Sequence, residues 1–129
     1  MIKIDTDGQL FLIDRTDIEI GIREIRKRSA IPVHANGIYR LYDKKGILLY
    51  IGRSSKILAR VIDHMVGKCE NTKRFYEEMY RAEIYLLPFY SKYEIDDIEQ
   101  YLIELCNPKY NQLKWSEGTA KYRCKEYEV

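Results

Sequence analysis

One carboxylate in this chain stands where a solvated acid should not. Ser91 to Cys106 reads as a helix opened by the capping box Ser91-Lys92-Tyr93-Glu94. At about 100° per residue, Asp96, Asp97, Gln100 and Glu104 fall on one side, and Ile95, Ile98, Leu102, Leu105 and Cys106 on the other. Glu99 points between Ile103 and Cys106, the one charged residue in that apolar arc. An unpaired carboxylate there costs several kcal/mol or more, so Glu99 needs a cation. A buried salt bridge or an edge carboxylate snorkelling to water answers that need without any chemistry.

Arg60 and His64 form a second candidate set, because residues four apart share one face of a helix. A guanidinium offers two parallel donors to a phosphate, and an imidazole takes up or releases a proton near neutrality. The pair also suits a solvated helical surface, so it decides nothing alone.

Several elements must position these groups. Gly37 to Tyr42 and Ile47 to Gly52 are β-rich runs around Asp43-Lys44-Lys45-Gly46, which predicts an antiparallel hairpin. Lys56 to Val66 has Ile57, Val61 and Met65 at helical spacing, Asn71 to Arg81 predicts a further helix, and Ala82 to Leu87 another strand. Upstream, Met1 to Ile4 and Leu10 to Ile13 flank Asp5-Thr6-Asp7-Gly8 as a small hairpin. Thr16 or Asp17 then caps a helix through Ile18, Ile22 and Ile25 to the basic Arg26-Lys27-Arg28. The tail from Gln112 to Val129 mixes basic and aromatic residues and supports no assignment.

On the hairpin, Gly37-Ile38-Tyr39 and Tyr50-Ile51-Gly52 are followed in order by Arg60, His64, Glu99 and Asn111. With these residues the chain resembles the GIY-YIG nuclease family from Gly37 to about Asn111. The resemblance implies an α+β fold with a small central three-stranded antiparallel sheet flanked by helices. Residues 1–36 would be an N-terminal extension packing on the 37–111 core, and 112–129 a tail, within a single domain overall.

It also implies a metal-dependent endonuclease that cuts nucleic acid, DNA favoured over RNA, leaving 3′-hydroxyl and 5′-phosphate ends. Tyr39 and Tyr50 would surround the attacking water and the scissile phosphate, His64 would relay or accept a proton, and Arg60 would hold a nonbridging oxygen. Glu99 would bind one Mg²⁺ or Mn²⁺ ion. Arg53, Lys56 and Asn111 are the expected substrate-side residues, with Lys68, Lys73 and Arg74 as further phosphate contacts. The competing reading is a non-catalytic nucleic-acid-binding or protein-interaction module on the same fold.

Composition agrees without deciding. A chain of 129 residues suits one domain, and a net charge of +2 permits a polyanionic partner without demanding one. Cys69, Cys106 and Cys124 lack chelating spacing and read as reduced thiols, so no zinc site is expected. No run approaches the roughly 20 apolar residues of a membrane span, and the start lacks a signal-peptide pattern. A cytoplasmic protein is the expectation, with specificity supplied by dimerisation or by a partner protein.

Overall fold

Strand alternation and helical spacing resolve into a four-stranded antiparallel sheet with helices on both faces, in a computed structural model that describes residues 10–111. The elements are β1 (Leu10–Asp14), α1 (Arg15–Ile20), α2 (Ile22–Ser29), β2 (Gly37–Tyr42), β3 (Leu48–Ser54), α3 (Ile57–Met65), a 3-10 helix (Lys73–Glu78), β4 (Arg81–Leu86) and α4 (Lys92–Cys106). Strand order is β1-β4-β2-β3. The α+β class matches the expectation, but the sheet has four strands instead of three. β1 lies along the otherwise open edge of β4, Ile13 opposite Ala82 and Asp14 opposite Arg81, which satisfies backbone groups that a three-stranded sheet would leave bare. The expected β1 partner, Met1 to Ile4, and the tail from Gln112 lie outside the described residues.

β2 and β3 carry the tyrosines. Their register sets Tyr39 opposite Gly52 and Leu41 opposite Tyr50, then shifts so that Tyr42 faces Leu48. The extra residue, Leu49, is a bulge, which turns Leu49 and Tyr50 both into the core shared with Tyr39, Leu41, Val61 and Met65. Ile38 and Ile51 point to the opposite face, where Ile95, Ile98 and Ile103 of α4 cover them. Burying each such isoleucine contributes about 1.5–3 kcal/mol, which fastens α4 and the residues it carries to β3.

Three local expectations change. The upstream helix is capped by Asp14, whose carboxylate accepts from the backbone N–H groups of Thr16 and Asp17 at 2.9 and 3.1 Å, and it breaks at Gly21, where φ is 105°. The expected helix from Asn71 to Arg81 is a 3-10 helix from Lys73 to Glu78, kinked at Phe75. Arg15 ties its end to α3: the guanidinium donates to the carbonyls of Met65 at 3.0 Å and Tyr76 at 2.8 Å, and to Met79, just before β4. In α4 the Ser91–Glu94 capping box forms, but Leu105 sits 65% exposed, outside the apolar arc.

No helix among the described residues is long and apolar enough to cross a membrane.

Candidate active site

Tyr39 reaches across β3 where its partner is glycine. A Cβ at Gly52 would fall on the Tyr39 hydroxyl, and one at Gly37 would fall on the Tyr85 carbonyl oxygen of β4, so both triplet glycines are required by close approach. The ring centroids of Tyr39 and Tyr50 lie 6.5 Å apart, and His64 sits 5.1 and 5.5 Å from them. All three are buried. The Tyr39 hydroxyl is 2.5 Å from His64 Nε2, and His64 Nδ1 is 2.7 Å from the Thr72 hydroxyl. Asn71 Nδ2 donates to the Tyr50 hydroxyl at 2.9 Å. Phe75, stacked at 3.9 Å on Tyr110, backs the Tyr50 ring.

Charge completes the arrangement. Burial above all, and then neighbouring Tyr50, push the Tyr39 phenol well above its ordinary value; Arg60 opposes them and Glu99 reinforces them. Glu99 exerts that push from α4, on the other face of the sheet. Burial works against the charge of Arg60, yet Tyr39, Cys69 and Tyr50 outweigh it and hold the guanidinium above its usual value. Arg60 stands at the exposed rim, between solvent and the buried rings.

Glu99 is fully buried. Arg53 Nε lies 3.8 Å from its carboxylate and pairs more closely with Asp96. The outer-face reading of Asp96 therefore omitted a neighbour of the site that three-residue helical spacing makes legible. Among the described residues no group of three or more His, Cys, Asp or Glu could hold a metal ion. One carboxylate suits a hard divalent ion that keeps several waters, and cannot build a closed cage.

The substrate-side expectations divide. Arg53 borders an open cleft of about 310 Å³ whose walls also include Asn36, Ser54, Ser55 and Lys92, over Ile95. Lys56 stands exposed at the start of α3, while Lys68, Lys73 and Arg74 are exposed further along the chain. Asn111 is different: it is 1% exposed, its Oδ1 accepts from Ile51 N at 2.7 Å, and its Nδ2 donates to Ile51 O at 2.9 Å. Its amide braces β3 through both backbone groups of Ile51. Lys109 N and Tyr110 N donate to Leu48 O and Leu49 O, extending the same cover along the β3 edge. Asn111→Ala leaves two buried backbone groups without that amide and should cost about 2 kcal/mol or more in urea denaturation. A loss under about 0.5 kcal/mol would mean that solvent replaces the brace freely.

Residues 35–111 match the GIY-YIG catalytic domain family. The chain belongs to that family. Its GIY-YIG domain is an endonuclease domain, and solved relatives place it more finely. The N-terminal endonuclease domain of UvrC from Thermotoga maritima, bound to its catalytic divalent cation, magnesium, is 26% identical with a TM-score of 0.51, covering 69% of this chain and 97% of that one. The UvrABC system protein C of Cytophaga hutchinsonii is 27% identical over 116 residues, 88% of this chain. That of Francisella tularensis subsp. novicida is 35% identical over 80 residues, 60% of this chain. The chain spans only 18% and 13% of those two proteins.

Proposed function

We propose that this GIY-YIG domain hydrolyses phosphodiester bonds in DNA with an activated water and one divalent ion, Mg²⁺ or Mn²⁺. The observation that carries the reading is the chain of groups at Tyr39: His64 Nε2 at 2.5 Å, Arg60 at the rim, and the Glu99 charge from α4. Glu99 would hold the ion, in keeping with a buried hard-oxygen donor and with the cation of the Thermotoga relative. Bound there, the ion would polarise the phosphate and offset its developing charge.

The chain's own residues supply the rest. Arg60 holds a nonbridging oxygen and stabilises added charge as water attacks. A phenol pushed up by burial is a poor free base, so Tyr39 works with His64: the water proton passes to the Tyr39 oxygen while the Tyr39 proton passes to Nε2. The phosphorus–O3′ bond breaks, and O3′ takes a proton from solvent. Tyr50 confines the water from the other side. Arg53, Lys56 and the Lys92 cleft take neighbouring phosphates of the strand. A cytoplasmic setting, and specificity from a second copy or a partner protein, belong to the same reading.

The deciding assay incubates the purified protein with labelled duplex, single-stranded and branched DNA and with RNA, in Mg²⁺ or Mn²⁺ and in EDTA. Cleavage of DNA that leaves 5′-phosphate ends, stops in EDTA and weakens as salt rises is the expected result. No cleavage of any substrate, or cleavage indifferent to EDTA, would overturn the proposal.

A further inference from the structure

α3 ends at Met65, and the chain turns through Gly67 before the 3-10 helix begins at Lys73. Two adjacent residues on that crossing each touch a different member of the tyrosine–histidine cluster. Thr72 is fully buried with its hydroxyl 2.7 Å from His64 Nδ1, and Asn71 donates through Nδ2 to the Tyr50 hydroxyl at 2.9 Å. One contact is with His64 of α3 and the other with Tyr50 of β3.

The imidazole has one proton to place when neutral. Its Nε2 lies 2.5 Å from the Tyr39 hydroxyl, whose oxygen accepts a hydrogen bond from Arg60, so the phenol proton turns to Nε2 and Nε2 is the acceptor. The ring proton then belongs on Nδ1, where the Thr72 oxygen receives it. A histidine turned or tautomerised the other way would present N–H to Tyr39 and could not take its proton. Tyr50 is treated in parallel: the Asn71 amide makes its oxygen an acceptor and so directs the hydroxyl proton away from the crossing.

We propose that Asn71 and Thr72 form a positioning pair, in which Thr72 fixes the ring orientation that leaves His64 Nε2 open to Tyr39 and Asn71 fixes the Tyr50 hydroxyl beside them. The inference rests on Tyr39, Tyr50 and His64 being the reacting groups. Their contacts are with the reacting groups, not with the site given to the phosphate in that reading. Their loss therefore lowers turnover and leaves substrate affinity in place.

The test joins a structural readout to a kinetic one. The chain has two histidines, His34 and His64, so long-range ¹H–¹⁵N NMR with His34→Gln assigns the His64 ring directly. Wild type should show the proton on Nδ1. Thr72→Val, nearly the same shape without the hydroxyl, should redistribute that proton and lower kcat about tenfold or more with KM little changed, and Thr72→Ser should restore both. Asn71 is exposed, so Asn71→Leu should lower kcat while melting close to wild type.

A ring proton on Nε2 in wild type, or wild-type kcat in Thr72→Val, overturns the proposal. Should Thr72→Val not fold, wild-type kcat in Asn71→Leu overturns it instead. A wild-type protein that cleaves nothing sinks the endonuclease reading separately, because the ring proton is located without turnover.

Discussion

Glu99→Gln is expected to abolish metal-dependent cleavage while leaving the protein at least as stable as before. The substitution keeps the shape of a side chain that is fully buried and removes only its charge. Arg53, 3.8 Å from the Glu99 carboxylate, keeps its closer partner Asp96 when the Glu99 charge is lost. A buried carboxylate beside another acid is costly to keep, and neutralising it should hold or raise the melting temperature. On the proposed reading the reaction loses its anchor for the divalent ion. A drop of about a thousandfold in kcat, or roughly 4 kcal/mol of transition-state stabilisation, is the expected scale. Calorimetric titration with Mg²⁺ should lose its binding signal in the variant. Activity within about tenfold of wild type would remove Glu99 from the mechanism.

The legibility of Glu99 follows from locality. α4 is a long helix with a strong capping box and three buried isoleucines, so its period is written in fifteen consecutive residues and an acid in the apolar arc stands out. The hairpin tyrosines are local in the same sense. What was not legible depends on distant partners. β1 takes its place from an edge of β4 some seventy residues away, and no pattern within Leu10–Asp14 names that edge. The end of the 3-10 helix is tied to α3 by Arg15, far upstream, which holds the carbonyls of Met65, Tyr76 and Met79. Asp14, Thr16 and Asp17 are all good caps by residue type, and only the observed hydrogen bonds choose among them.

The site shows the same division. Arg60, His64 and Glu99 announce themselves by spacing, whereas Asn71 and Thr72 sit in a turn where both types are ordinary. Asp96 lay within reach of sequence reasoning, three residues from Glu99, but its polar flank disguised it. Asn111 was read toward the substrate because an amide serves a phosphate and a backbone equally well. In the fold that amide is spent on the backbone of Ile51.

Tyr39→Phe should separate the chemistry of this site from its packing. Phenylalanine fills the same buried space over Gly52 and deletes the oxygen that, in the proposed reaction, joins His64 to the attacking water. Proton transfer of this kind contributes about 10²–10⁴-fold, so kcat should fall by at least the lower figure. Losing the hydroxyl on Nε2 should also cost about 1–3 kcal/mol at neutral pH. At alkaline pH that cost shrinks. Burial holds the native phenol well above its ordinary value, so the unfolded chain releases this proton first, above about pH 10, and the stability of wild type falls as pH rises through that range. Tyr42, pushed up to about 12 by burial and by its hydrogen bond to Glu83, adds to the same slope. Tyr39→Phe should therefore lose stability less steeply than wild type from pH 10 upward, and adding Tyr42→Phe should flatten the curve further. Urea denaturation across that range reads the slopes, and an unchanged slope in Tyr39→Phe would mean that the phenol ionises as readily in the fold as outside it.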